Sequence, residues 1–389
     1  MNLKLKLSVD YYVGGTVHAL LKPFILLLRA TLHRDHSLDN LREITVLKML
    51  GGGSLVIAYP SLLALKQSRP GVRLNLVTTP AIKPFAETLG LFDEIILLRD
   101  NRPEHLALDS VRAIARLWFT GALIDLEIHS RLSSIFVLMT CARNRIGIYT
   151  DVSYWRTSLY THLLFYNKYA PVHAMYDQIA RLFGAPEGDY RQAKALFRPR
   201  VPHDPAVRVA EGKVNIGIAP GCSDLGKERM LPVSHWVRVL SNRCSLQPNI
   251  ALYFIGGPRD GIVSGEIMAG LRGKHPGIEI HNCCGSYSLL ESIDLISQLH
   301  TLYCIDSGLI HFARLLEIKT VSFWGPTDPA SRLRPDTDLA EETHYVRLTC
   351  SPCVHIVAEA PCYGRNICMD AAGELENYKG DRNPIWPAQ

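Results

Sequence analysis

Beginning at Ile44, short apolar runs alternate with segments of helical period, and the alternation stops once and then starts again. Residues 44–50, 72–77, 94–98 and 122–128 read as strands. Residues 56–67, 82–89, 105–120 and 133–141 read as the helices between and after them. Apolar strands separated by helices belong in a parallel sheet covered on both faces. Around residues 185–212 the pattern gives way to proline and charge (APEGDYRQ, then FRPRVPHDPAVRVAEG), the natural place for a linker. It resumes with strands at 214–219, 250–255, 278–281, 301–305 and 320–323 and helices at 233–243, 261–271, 289–299 and 308–316. The expected fold is therefore α/β, two facing Rossmann-like domains at residues 41–195 and 205–345, flanked by an N-terminal segment (1–40) and a tail (346–389).

A length of 389 residues suffices for two full cores, and 47% hydrophobic with 20% charged residues is a globular balance. The net charge of +5 comes without a basic cluster interleaved with aromatics, so no nucleic-acid partner is expected. No stretch reads as a secretory signal, and the expected location is cytoplasmic. Residues 11–34 carry Leu20, Leu21, Phe24, Ile25 and Leu28 at helical spacing, flanked by Lys22, Arg29, His33 and Arg34. Their longest apolar run, 23–28, falls far short of the about 20 residues a membrane span requires. Two readings stay open: a helix lying on the surface of the inner membrane, or one docked on the protein itself.

Residues 302–335 carry the densest chemistry. An apolar strand ends in Asp306-Ser307-Gly308, and a helical pattern starts at once with His311 on its first turn. A strand-to-helix turn of this kind presents unpaired N–H groups and the positive end of a helix dipole, which suits an anion. Asp306 can accept from hydroxyls and His311 can donate to a phosphate, so a nucleotide-sugar diphosphate fits there; a capped helix with a core histidine is the plainer account. A second strand then runs into Trp324-Gly325-Pro326-Thr327. No D-x-D ends an apolar strand, and Asp336-Thr337-Asp338 reads as a solvated loop, which argues against a metal-bridged donor. Catalysis is expected to need no cofactor.

The ordered set D-[ST]-G-x-x-H, apolar strand, G-P-T-[DE]-P resembles the C-terminal signature of the heptosyltransferase-like enzymes, glycosyltransferase family nine. Upstream, IGIAPGC at 216–222 resembles the family's strand-then-P-G-[AC] element, and Arg229-Met230-Leu231-Pro232 occupies its basic-x-Trp-Pro step. Gly256-Gly257-Pro258 resembles its G-G-P turn, and residues 284–289 its G-x-[TS]-[SD]-[LI] element. The resemblance spans roughly residues 40–370. It implies the GT-B arrangement, a nucleotide-sugar donor (ADP-heptose) on the C-terminal half, and a glycolipid or glycan acceptor of lipopolysaccharide type on the N-terminal half. It also implies inversion at the anomeric carbon. A catalytically inactive nucleotide-sugar-binding protein and a nucleotide-sugar epimerase are the rival readings.

The resemblance breaks at one informative place. The loop Gly51-Gly52-Gly53-Ser54 ends in serine where the family usually has Gly-Asp, the aspartate considered its base. A serine of ordinary pKa cannot take that role. In LIDLEIHSR (123–131), Asp125, Glu127, His129 and Arg131 alternate and would share one face of a strand near its carboxyl end, where ligands of open α/β sheets bind. This D-L-E-x-x-[ST]-R run resembles a branch of the family whose first loop ends Gly-Ser. Glu127 is the expected base, with Asp125 second and His129 third; Gly52, Gly53, Ser54 and Arg131 form the acceptor-side loop. Asp125 buried on a backbone amide and Arg131 paired with Glu127 is the structural alternative. On the donor side, Arg229, or failing it Lys227, is expected to neutralise the leaving diphosphate, with Gly256 and Gly257 at the neighbouring turn.

Cys350-x2-Cys353-x8-Cys362-x5-Cys368 has the density of a structural zinc or iron site. Disulfides or free thiols are the alternative. Cys141, Cys222, Cys244, Cys283, Cys284 and Cys304 read as reduced core cysteines.

Overall fold

A computed structural model describes residues 8–375 apart from 33–34, 158, 205–206, 224–225, 248, 355, 358–359, 361 and 363–364. His33, Arg34 and the tail from residue 376 onward lie outside the described residues, as do the side chains of Phe24, Leu28 and Arg29. The chain divides into two compact units, residues 1–193 and 194–389.

The first unit opens with a π-helical turn, Asp10–Gly14, that runs into α1 (Gly15–Leu32). Then β1 (Glu43–Lys48), α2 (Gly52–Ser68), β2 (Arg73–Thr78), α3 (Lys83–Leu89), β3 (Glu94–Leu97), α4 (Pro103–Arg116), β4 (Ala122–Asp125) and α5 (Arg131–Met139) alternate as the apolar pattern requires. Three elements beyond the pattern follow: β5 (Asn144–Tyr149), β6 (His162–Phe165) and α6 (Val172–Leu182). The six strands are all parallel, in the order β3-β2-β1-β4-β5-β6. β5 and β6 escaped the sequence reading because Asn144 and Arg145 open β5 and the apolar run of β6 is only three residues long, 163–165. α7 (Tyr190–Phe197) leads out of this unit.

The second unit repeats the plan: β7 (Val214–Ala219), α8 (Val233–Leu246), β8 (Ile250–Phe254), α9 (Asp260–Lys274), β9 (Glu279–Asn282), α10 (Leu289–Ser297), β10 (Thr301–Ile305), α11 (Gly308–Leu315), β11 (Lys319–Trp324), α12 (Pro329–Arg332), β12 (Glu341–Tyr345) and α13 (Ile367–Leu375). Its sheet order, β12-β11-β10-β7-β8-β9, is the same topology. Each sheet therefore has one topological switch point, between β1 and β4 in the first unit and between β7 and β10 in the second. There successive helices leave to opposite faces and open a crevice at the carboxyl ends of the strands. Both units are Rossmann-like, the domain pair of the GT-B class.

The cores follow from the sequence. Ile216, Ile218, Leu252, Phe254 and Phe323 lie fully buried, or nearly so, around Trp236 of α8. In the first unit Leu47, Leu123, Phe136, Val137 and Tyr160 form the equivalent cluster, with Ile25 of α1 packed against it. Asp336, expected in a solvated loop, instead receives a 2.6 Å bond from the buried Lys194 ammonium. A buried charge must be paired, and this loop supplies the partner.

Candidate functional site

At the first switch point the chain leaves β4 after Asp125, not after Ile128 as the apolar run suggests. The four ionisable residues therefore do not share a strand face. Asp125, fully buried, ends the strand; Arg131 opens α5; Glu127 and His129 sit in the connection. The reason lies in the partners of the two carboxylates. The Asp125 carboxylate meets Arg156 Nη2 and the Tyr160 hydroxyl, each at 2.5 Å, and accepts from Ser133 Oγ at 2.9 Å and from the Glu127 amide at 2.9 Å. Burial raises its carboxyl above the usual range against the pull of Arg156 and these hydrogen bonds. Asp125 is thus a sealed structural hub.

Glu127 turns the other way, across the switch point. Its Oε1 accepts from Lys48 Nζ at 2.9 Å and from the amides of Met49 and Leu50 at 2.7 and 3.0 Å. Burial opposes its ionisation, yet Lys48 and the two amides outweigh it and hold the carboxyl below the usual glutamate range. Glu127 is therefore ionised at neutral pH. His129 as a residue is exposed, but neighbouring atoms crowd its ring; that desolvation first, then Arg156, lowers its pKa, so the ring is neutral at pH 7. Arg131 does not pair with Glu127. Its guanidinium donates to the Tyr11 carbonyl at 2.8 Å and lies over the rings of Tyr11 and Trp155.

The glycine loop has two structural reasons for its composition. Gly51 has φ 76°, a left-handed conformation that glycine adopts without strain, and a Cβ on Gly52 would come within 2.5 Å of the Phe85 ring. Ser54 closes the turn through its amide to the Gly51 carbonyl.

At the second switch point, Asp306 follows β10 and is nearly buried. Arg229, at the end of a 3₁₀ turn Lys227–Arg229 after β7, reaches it with Nη1 3.4 Å from Oδ2. Burial would raise the Asp306 carboxyl, but Arg229, then Arg332 and His311, hold it below the usual range. His311 is pushed down to about 3, mainly by burial and, against the pull of Asp306, by Arg314, Arg332 and Arg229. It is a neutral imidazole that can still donate one N–H. Ser307 caps α11 in an extended conformation without a side-chain cap bond, and its buried hydroxyl meets no hydrogen-bond partner among the described residues. A buried orphan hydroxyl at a helix start, beside an acidic residue and a buried guanidinium, could hold a polar ligand. Lys227 is exposed at the same turn.

Gly256 and Gly257 follow β8. The Gly257 amide donates to Asp260 Oδ2 at 2.9 Å, and a Cβ on Gly256 or on Gly221 would strike that carboxylate, at 2.5 and 2.0 Å. Sequence reasoning missed Asp260, whose signal was a carboxylate three residues beyond a glycine pair, at the start of a helix.

The described part of the cysteine run shows no metal site. Among the described residues no group of three or more His, Cys, Asp or Glu side chains could hold a metal ion. Cys368 is used in the second core, its Sγ within 2.8 Å of a Cβ placed on Gly325; Cys353 is also buried, while Cys350 is exposed. Burial first, then neighbouring thiols, push Cys368 up to about 11 and raise Cys353, so both are neutral thiols at pH 7.

Residues 123–363 match the family described as glycosyltransferase family 9 (heptosyltransferase). Two curated relatives are lipooligosaccharide heptosyltransferase 2 of Haemophilus ducreyi, 27% identical over 36% of this chain, and lipopolysaccharide heptosyltransferase 2 of Salmonella typhimurium, 26% identical over 37%. The match spans 38% and 43% of their own lengths. Among solved structures, ADP-heptose LPS heptosyltransferase II of E. coli superposes with a TM-score of 0.58 at 18% identity, covering 86% of this chain and 97% of that one. A glycosyl transferase family 9 protein of Veillonella parvula gives 0.58 at 15%, covering 78% and 85%. These structural likenesses show the fold.

Proposed function

The chain belongs to glycosyltransferase family 9, and on that premise we propose that it moves a sugar from a nucleoside-diphosphate donor to a hydroxyl of a lipopolysaccharide-type or other surface glycan. The observation that carries this reading is the second switch point: Asp306 and Arg229 paired beside the orphan Ser307 hydroxyl at the start of α11. That combination suits the ribose or sugar hydroxyls and the diphosphate of one ligand. The names of the heptosyltransferase relatives favour heptose as the sugar and ADP as the nucleotide.

In this reading the first unit receives the acceptor. Exposed Tyr154, Phe165 and Tyr169, at and after the ends of β5 and β6, give it a surface for sugar rings. Glu127 takes the hydroxyl proton, and the freed oxygen bonds the anomeric carbon opposite the leaving group. The anomeric carbon–oxygen bond breaks with its electron pair going to the diphosphate, so the configuration inverts. Developing charge on the diphosphate is met by the first N–H groups of α11, the His311 N–H and Arg229, with Lys227 as the second cation. The reaction needs no metal in this scheme. The inner-membrane surface is the proposed place of work: Tyr11, Tyr12, Val13, Leu20 and Leu27 are exposed, while no helix among the described residues is long and apolar enough to cross a membrane.

A panel of ADP-, GDP- and UDP-sugars in a thermal-shift assay identifies the donor, and transfer of labelled sugar to a lipid or glycan fraction tests the reaction. Glu127→Gln should lower turnover by roughly 100-fold or more with donor affinity kept, and Ser54→Ala should be mild. Loss of activity in Ser54→Ala with Glu127→Gln active would overturn the choice of base. Ser54 also favours a second reading, donor binding without transfer, and donor binding with no transfer to any glycan fraction would establish it.

A further inference from the structure

Glu127 is held at almost every polar atom it has. Its amide donates to Asp125 Oδ1 at 2.9 Å, its carbonyl accepts from Arg156 Nη1 at 2.7 Å, and three donors from three consecutive residues meet Oε1. Those donors are themselves anchored. The Lys48 carbonyl accepts from Thr78 Oγ1 at 2.5 Å and the Met49 carbonyl from Thr79 Oγ1 at 2.8 Å, so the end of β1 is tied to β2 as well as to β4. A carboxylate oxygen offers about two lone-pair directions, so three donors saturate Oε1. Among the described residues none donates to Oε2 of this side chain.

We propose that Lys48 is a positioning residue for the transfer reaction: with the Met49 and Leu50 amides it clamps Glu127 through Oε1, so that Oε2 is the oxygen that receives the acceptor proton. This rests on Glu127 being the base. Lys48 suits the task because it is 6% exposed and ends β1 at the switch point, where its ammonium needs an anion and finds this one. Two backbone amides alone would orient the carboxylate. The buried ammonium also keeps it ionised, and a side-chain donor can follow the small shift that accompanies proton uptake.

The charged groups that face Glu127 come from each neighbouring element: Lys48 on β1, Asp125 on β4, His129 in the same connection, and Arg156 from the 3₁₀ turn Asp151–Arg156. Of these, Lys48 alone bonds the carboxylate. Its ammonium lowers the Glu127 carboxyl pKa. A base works only when deprotonated, so the rate falls as pH drops through that pKa, and a clamp that lowers it keeps the enzyme active to lower pH.

The test is the pH profile of kcat/KM for transfer of labelled sugar from the donor that the thermal-shift panel selects. Lys48→Met should move the acid limb up by about one pH unit or more, the usual effect of losing an opposite charge at this range, and should lower kcat. Lys48→Arg should restore the limb, and donor affinity should be unchanged in both. Lys48→Gln, neutral but polar, carries the same expected shift if the methionine variant does not fold. If Glu127→Gln is inactive while the neutral Lys48 variants keep the wild-type acid limb and kcat, the clamp is wrong and the base stands. If Glu127→Gln is active, the base assignment fails and the clamp with it.

Discussion

Asp125 and Glu127 stand two residues apart with the same chemistry, and their surroundings differ: Arg156 and Tyr160 meet one, Lys48 and two backbone amides the other. Asp125 has Arg156 and Tyr160 sealed around it with no exposed surface, so removing the guanidinium leaves an uncompensated buried carboxylate. Arg156→Met should cost about 3–5 kcal/mol of unfolding free energy, read by denaturant titration. Unchanged stability would mean that the hub is not what holds this edge. His311 makes a pH prediction. Its pKa is about 3 in the folded protein against about 6.5 unfolded, so the unfolded chain binds the proton first. The stability that a neutral His311 brings is fully present above about pH 6.5 and is lost as pH falls toward 3. Melting temperatures measured down that range should fall more steeply for the wild type than for His311→Asn; parallel curves would show that the imidazole is protonated in the fold.

Elements here are positioned by side chains that belong to other elements. The Asp10 carboxylate, on the N-terminal π-helical turn, accepts from Ser130 Oγ and from the amides of Arg131 and Leu132, at 2.6 to 2.9 Å. It satisfies the free N–H groups at the start of α5 and complements the helix dipole. A Cβ on Gly14 would lie 2.9 Å from that of Arg131, so the turn fits closely as well. This docks the beginning of α1 on the protein itself, next to the connection that carries Glu127. Asp10→Ala should lower stability by about 1 kcal/mol and speed hydrogen exchange of the Arg131 and Leu132 amides. Exchange unchanged at those two amides would show that the turn is not docked in solution.

At the scale of the molecule, the same strand order occurs twice, and in each unit a carboxylate reaches across the switch point: Glu127 to the end of β1, and Asp306 to Arg229 after β7. The donor reading predicts that the selected nucleotide-sugar, at a hundred times its Kd, stabilises the chain by about 2.7 kcal/mol in a thermal-shift assay. Arg229→Ala and Asp306→Ala should each abolish most of that shift. A full shift retained in both variants would place the donor elsewhere.

Period and apolar runs by themselves determined the α/β class, the two units and most strands, because burial on both sheet faces forces unbroken apolar segments. The motif order likewise placed Asp306, Ser307, Gly308 and His311 on one strand-to-helix turn, since that turn is local in sequence. What the sequence could not decide was long-range. Whether residues 126–130 continue β4 depended on Lys48 and the Met49 and Leu50 amides, which capture Glu127 from more than seventy residues away. Asp125 became a hub rather than a base because Arg156 and Tyr160 close over it, and no local pattern announces them. Of the cysteine run, dense in sequence, the core took Cys368 for packing, which spacing alone does not announce. Spacing along a chain reports which groups are near in sequence, whereas charge pairing and burial are settled only when the strands lie side by side.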